Sequence, residues 1–281
     1  MLPPLPDVVI EPIVKLALAE DLGVAGDVTT DALIDPETQG RWALRAREAG
    51  VVAGVDAAIL AGAMIDPDLI FTIRAPDGAR VKTGDTIMEI EGAARSMLMA
   101  ERTMLNFVGR LCGIATLTSV YVDAVEGTNA IIASTRKTTP GMRALEKRAV
   151  RLGGGGAHRF GLDDAILIKD NHIAAAGSVA LALERARDAV SHLMCIEIEV
   201  DNLEQLREAL PYGPSAILID NFSQADMRAA VKMVDGQVLL EASGGITIEN
   251  VAAVAETGVD VISIGALTHS ARSLDVGLDA L

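Results

Sequence analysis

The chain has 281 residues, a formal net charge of -15, half of its residues hydrophobic and 22% charged, a balance that excludes disorder and leaves ample length for a large core. Aromatic residues make up only 2%, and with the acidic balance this excludes a stacking platform or electrostatic footprint for nucleic acid; the expected partner is a small molecule. Cys112 and Cys195 give neither a disulfide framework nor a zinc spacing, and the N-terminus lacks a basic, apolar, small-residue signal pattern, so a reducing cytoplasm is the expected compartment, with both cysteines in the core.

Residues 41–92 alternate as strands, in Trp42 to Arg47, Phe71 to Arg74 and Thr86 to Ile90, with turns at Asp77-Gly78 and Thr83-Gly84-Asp85. The pattern predicts a small antiparallel sheet with a helix near 56–65, within an N-terminal α+β domain of residues 1–112. A helical run from Ser96 to Glu126 follows. Its stretch from Thr103 to Val122 is the one segment to weigh as a membrane span, but it carries Asn106, Arg110 and two glycines inside a longer amphipathic pattern, so it reads as a buried helix and no membrane is expected. Glu101 and Arg102 stand near its start, where the simplest role for either is an exposed salt bridge.

From Ala130 onward, short β-rich runs alternate with helical patterns, which predicts βα units on a parallel sheet. The expected strands are 131–134, 165–169, 195–200, 216–220, 237–243 and 261–265, too short a span for eight units. A reduced or irregular α/β barrel over residues 113–281 is the expected architecture. Ser223 and Asp226 have capping-box spacing, and Thr247 is expected to open a helix that stops at Gly258. Arg143, Lys147, Arg148 and Arg151 read as a solvated basic helix face.

Polar residues gather where these strands end. Arg136 and Lys137 follow the first strand, Lys169, Glu199, Asp220 and Ser243 end the next four, and Gly265 ends the sixth. The carboxyl ends of the strands form the active face of an α/β barrel, so these residues are expected to converge on one mouth. Between residues 130 and 172 there are eight Lys/Arg against four acids, a local balance of +4 in an acidic chain. Such a concentration suits a small polyanion, because Arg and Lys bond carboxylate and phosphate strongly.

Taken together, Leu18-Ala-Glu-Asp-Leu-Gly23, Gly26-Asp-Val-Thr-Thr30, Glu101 to Asn106, Thr135 to Gly141, His158-Arg159, Leu167 to His172, Glu197 to Asp201, Glu241 to Ile246 and Ile264 to Ser270 resemble the quinolinate phosphoribosyltransferase family. The match runs in order through nearly the whole chain; Ala157 departs from it, standing where Asn is expected. The resemblance implies an open-faced N-terminal sandwich, an incomplete C-terminal barrel, and a homodimer whose active sites are shared between subunits, with assembly beyond the dimer left open. It also implies the reaction of quinolinate and phosphoribosyl pyrophosphate, with magnesium, to nicotinate mononucleotide, pyrophosphate and carbon dioxide. Arg136, His158, Arg159 and Lys169 would hold the pyridine dicarboxylate, with Arg102 added from the partner subunit. Thr135 would bind substrate, Lys137 would meet the pyrophosphate of the second substrate, and Glu199 and Asp220 would face its ribose and hydrated magnesium. Ser243, Gly244, Gly245, Ile264, Gly265 and Ala266 would bind phosphate through backbone N–H groups, and His269 would orient that loop, touch the phosphate or make a structural hydrogen bond. The expected catalytic set is Lys137, Lys169, Glu199 and Asp220. Two other readings fit single features: a Schiff-base aldolase using Lys169, and a non-catalytic or divergent relative that keeps the barrel but serves another role.

Overall fold

The computed structural model describes residues 2–281. In chain order its elements are α1 (Asp7–Leu22), α2 (Val28–Leu33), β1 (Gln39–Ala46), β2 (Gly50–Val51), α3 (Val55–Ile65), β3 (Ile70–Ile73), β4 (Arg80–Val81), β5 (Thr86–Ala93), α4 (Ala94–Ala124), β6 (Ile131–Ala133) and α5 (Arg143–Leu152). There follow β7 (Ile166–Ile168), α6 (Asp170–Ala176), α7 (Val179–Ala189), β8 (Ile196–Val200), α8 (Leu203–Ala209), β9 (Ala216–Asp220), α9 (Gln224–Val234), β10 (Leu239–Ser243), α10 (Val251–Ala255), β11 (Val261–Ser263), α11 (Ala266–His269) and β12 (Val276–Ala280). Two compact units result, each assembled from separate stretches: one from the chain up to Ser119 with Thr138–Gly154 and Ala266–Leu281, the other from Val120–Lys137 and Gly155–Gly265.

The first unit is built on an antiparallel sheet of order β12-β1-β5-β3. Leu44, Met88 and Ile90 are buried on one face, while on the other, which also holds buried Ala43, Arg41 and Arg74 pair with Glu89 at the surface. Asp27 caps α2 by accepting from the Thr29 and Thr30 N–H groups, which gives the Gly26-Asp-Val-Thr-Thr30 string a structural use. The expected strands and helix appear, and β12 is an addition: the C-terminus returns to pair with β1, outside the barrel in which its sequence would place it. Its route explains the two glycines of α4. Leu274 N–H donates to the Gly109 carbonyl at 2.8 Å, and a Cβ on Gly113 would stand 2.0 Å from the Arg272 carbonyl oxygen. Helix α4 is long and apolar enough to cross a membrane, and 67% of its apolar window is buried inside the protein.

Helix α5 corrects the reading of a solvated basic face. Lys147 is buried, and Arg148 lies between Asp77 and Asp56, bonding the first and standing 3.5 Å from the second. Arg143 bonds the Thr138 hydroxyl at 3.0 Å, and only Arg151 of the four is fully solvated. Glu146, completely enclosed, holds Arg110 at 2.9 Å and accepts from both the backbone and hydroxyl of Thr139. Arg143, Lys147 and Arg148 are therefore drawn into the fold, and Arg151 alone of the four fits the solvated reading. Burial raises the Asp77 carboxyl above its ordinary value, with Arg148 opposing the shift.

The second unit is a six-stranded parallel sheet of order β6-β11-β10-β9-β8-β7. Buried Ile198, Val200, Ile217, Ile219, Leu240 and Ala242 alternate with residues of the opposite face, where Glu197, Glu199, Asp220, Glu241 and Ser243 stand. On that face the carboxylates of Glu197 and Glu241, reaching over β9 from β8 and β10, come within 4.8 Å of each other. The barrel is incomplete, its edges being β6 and β7, and Gly156 bridges to Ala133 on the β6 edge. Ser223 caps α9 as expected, but Thr247 does not open a helix; it sits in a turn closed by Asn250, and α10 is only five residues long. Cys112 is buried, its thiol pushed up to about 12 chiefly by burial, whereas Cys195 is exposed and not a core residue.

Candidate active site

Within the second unit, the residues that follow the strand ends carry the polar groups. After β6, the Thr135 hydroxyl accepts from the Lys137 backbone N–H at 3.0 Å, a local turn that holds Arg136 between them. Arg136 and Arg159 are both half-buried, and each has an Nε buried without a protein hydrogen-bond partner. Burial first, and the Arg136 charge second, hold the Arg159 guanidinium below its ordinary value, with Glu197 and Asp164 opposing. Arg159 is steadied by the Ala165 carbonyl at 2.9 Å. Two guanidiniums placed close enough to repel, each with an unspent buried donor, form a cradle for an anion.

At the next ends, Lys169 Nζ donates to Glu199 Oε2 at 2.7 Å, and the Lys169 backbone N–H donates to His172 Nδ1 at 2.9 Å, which fixes the start of α6. Asp220 and Ser243 are register partners on β9 and β10. Asn221, at φ 55°, donates its backbone N–H to the Ser243 carbonyl and its side chain to Asp220. A Cβ on Gly244 would meet the Asn221 Oδ1 at 2.2 Å, and Gly244 and Gly245 both have positive φ, so this turn requires glycine. Ile264 N–H bonds the Ala133 carbonyl, bringing the end of β11, with Gly265 following, beside β6.

The expected residues Thr135, Arg136, Lys137, His158, Arg159, Lys169, Glu199, Asp220, Ser243, Gly244, Gly245, Ile264 and Gly265 all belong to this unit. Arg102, Ala266 and His269 belong to the first unit. Arg102 is exposed on the otherwise largely buried α4, and His269 Nδ1 lies 2.7 Å from the Ser270 hydroxyl. Carboxylates on the neighbouring strands β8 and β9, Glu199 and Asp220, supply the hard oxygen atoms that magnesium takes, and each has a second oxygen beyond the one bonded to Lys169 or Asn221. The donor set fits a hydrated ion.

Two residues escaped the sequence analysis. His158 Nε2 lies 3.2 Å from Glu197 Oε2 and 3.6 Å from Glu241 Oε1. Glu241 is pushed up to about 7, chiefly by burial and then by Glu197, against His158 and the Ser263 hydroxyl. The signal was present: Glu197 and Glu241 stand two positions before Glu199 and Ser243, and strand alternation puts such pairs on one face.

The chain matches the N-terminal domain of quinolinate phosphoribosyl transferase over residues 27–112 and the C-terminal domain over 114–279. It is 49% identical over 276 residues to a carboxylating nicotinate-nucleotide pyrophosphorylase of Mycobacterium leprae, covering 95% of each chain. A probable enzyme of the same description from Bacillus subtilis is 42% identical over 260 residues, covering 92% of this chain and 89% of that one. The solved nicotinate-nucleotide pyrophosphorylase of Francisella tularensis superposes with a TM-score of 0.95 at 37% identity, covering 99% of this chain and 98% of that one.

Proposed function

The chain belongs to the quinolinate phosphoribosyltransferase family, and from that premise we propose how its residues divide the work. The activity is transfer of phosphoribose from phosphoribosyl pyrophosphate to quinolinate in NAD biosynthesis, releasing pyrophosphate and carbon dioxide. The observation that carries the assignment of the quinolinate pocket is the pair Arg136 and Arg159, each with a buried Nε awaiting an acceptor.

The two carboxylates of quinolinate are received by Arg136, Arg159, His158 and Lys169. The ring nitrogen then attacks C1 of the ribose as the C1–O bond to pyrophosphate breaks, the bonding pair leaving with the pyrophosphate. Lys137 steadies the leaving group. Positive charge that develops on the ribose faces the carboxylates of Glu199 and Asp220, and the Ser243-Gly244-Gly245 and Ile264-Gly265-Ala266 turns receive the 5′-phosphate through backbone N–H groups. Magnesium would face Glu199 and Asp220 through its water shell, and when bound it neutralises charge on the pyrophosphate. Ribosylation makes the pyridine nitrogen cationic, so it accepts the electron pair when the adjacent carboxylate departs as carbon dioxide, and C2 of the ring takes a proton. No covalent nucleophile or separate base is required.

The aldolase alternative needs a neutral Lys169 amine, whereas its Nζ is engaged with Glu199 at 2.7 Å. Arg102, exposed on α4, is assigned to the neighbouring subunit's quinolinate pocket in a homodimer, and the cysteine usage supports a cytoplasmic setting. Pyrophosphate and nicotinate mononucleotide formation with quinolinate, but not with nicotinate as the control, tests the pocket assignment. Comparable turnover of nicotinate overturns it.

A further inference from the structure

The roles above leave Glu197 and Glu241 without work, although each is nearly enclosed beside His158. Their side chains are 13% and 8% exposed, and that of His158 is 10% exposed. The Oε1 atoms of both acids are buried without a hydrogen-bond partner. We propose that Glu197 and Glu241 are positioning residues for quinolinate recognition, fixing the His158 ring through Nε2 and holding it as the imidazolium that faces a substrate carboxylate. This rests on the assignment of His158 to the quinolinate pocket.

The geometry states which nitrogen does what. Nε2 is turned to two carboxyl groups, the nearer at 3.2 Å, and opposite a carboxylate it is the nitrogen that carries the proton. Any bond from this ring to a bound anion then falls to Nδ1, and only the doubly protonated ring donates from both sides.

Charged groups assigned to the same pocket pull in opposite directions. From its own segment comes Arg159, and from the loop after β6 comes Arg136, whose charge acts on Arg159; Asp164 acts on the same guanidinium. From β8 comes Glu197, from β10 Glu241, and from β11 the hydroxyl of Ser263. Among the cations assigned to the dianion, His158 has the lowest ordinary value and is the first to lose its proton. A carboxylate beneath it counters that tendency. Burial and the neighbouring Glu197 charge raise Glu241, so the carboxylate that lies against Nε2 is Glu197, at 3.2 Å. That offsets the imidazolium while leaving the arginine charges for the substrate. Glu241 in its protonated form adds a hydrogen bond without adding charge.

The test uses the intact enzyme labelled at histidine. The chain has four histidines, so NMR resolves them and His158→Asn assigns the one of interest. In the wild type the His158 ring should remain protonated through about pH 7.5, above the range of an unperturbed imidazole. Glu197→Gln should lower its titration midpoint by about one unit and raise KM for quinolinate about tenfold at about pH 7.5, with the defect fading near pH 6. KM for phosphoribosyl pyrophosphate should move less than about twofold in that variant. Glu241→Gln, which imitates the protonated acid, should keep the wild-type quinolinate KM at about pH 6. A wild-type His158 that titrates as a free imidazole overturns the proposal and requires no variant to fold. So does equal loss toward both substrates, or a titration that shifts on dialysis against a chelator and so marks the three side chains as a cation site. His158→Asn with unchanged quinolinate KM removes the underlying pocket assignment, a result distinct from the titration itself.

Discussion

In the first unit Glu146 is fully enclosed and accepts four hydrogen bonds, two from Arg110 and two from Thr139, while Arg148 is held between Asp77 and Asp56. In the second unit Arg136 and Arg159 are drawn together with a buried donor on each left over, and Glu197 and Glu241 each keep a buried oxygen without a partner. Both arrangements remove charge from water, and the cost of doing so is the same kind of cost. What differs is where the compensation comes from. The first is closed by its own chain at Glu146 and Asp77, with only Asp56 Oδ2 left as an ion-pair neighbour of Arg148 without a hydrogen bond, so its charges serve the fold. On the proposed reading the second is completed by a ligand, so part of the stability those groups could contribute is deferred until substrate binds.

The sharpest way to break this comparison is to remove the acceptor from the closed network. Glu146→Ala strands Arg110 and both Thr139 donors, and losing one partner of a buried pair costs about 3–5 kcal/mol. Urea unfolding should show that loss in full. A variant as stable as the wild type would mean that the network is not what closes the first unit around α5.

The open set should answer in the opposite currency. Arg136→Ala or Arg159→Ala removes a repelling cation whose bonds the folded chain does not complete, so the unfolding midpoint should stay within about 0.5 kcal/mol of wild type. Quinolinate affinity should fall about ten- to hundredfold in each, the worth of a charge-assisted hydrogen bond. Isothermal titration with quinolinate separates the two quantities. A large stability loss with unaltered binding would move these arginines into the structural class.

How legible the molecule was follows the same division. The six parallel strands, the antiparallel sheet and α4 were readable because each rests on local alternation or helical periodicity. The polar residues at strand ends were readable because a barrel sends every strand's carboxyl end to one face. What escaped depends on distant partners. A basic stripe on α5 looks solvated until Asp56 and Asp77 are brought to it from residues far upstream. The return of β12 to β1 has its local sign only in Gly109 and Gly113, whose small size has meaning once a backbone lies against them. Glu197 and Glu241 were hidden by their chemistry, since buried acids on a strand face run against the ordinary preference for exposure.

A third experiment concerns Arg102, a first-unit residue that joins neither class within its own chain: it is exposed on α4. Arg102→Ala and Lys137→Ala should each be nearly inactive alone. If Arg102 serves the neighbouring subunit, a mixed dimer has one site with both lesions and one with none. Random exchange makes about half the dimers mixed, so recovery should approach roughly a quarter of wild-type activity for independent sites. Absence of recovery despite demonstrated subunit exchange would return Arg102 to its own subunit.

The smallest effect is the most specific to the open set. Glu241 is raised in the folded protein to about 7, chiefly by burial and then by the Glu197 charge. A carboxyl raised on folding favours the folded state while it is protonated. That contribution is complete below the ordinary carboxylate range and is lost as pH rises through about 7. The wild-type Tm should therefore be a few degrees lower at about pH 8.5 than at about pH 6. Glu241→Gln, neutral throughout, should flatten that decline without altering the slope that the rest of the chain contributes. Adding quinolinate should flatten it as well, because a bound dianion near His158 favours the protonated acid and supplies the acceptors that Arg136 and Arg159 lack. Parallel Tm profiles for wild type and Glu241→Gln would show that the acid pair is relaxed by water or by movement, and would blur the distinction between the two units where it is drawn most finely.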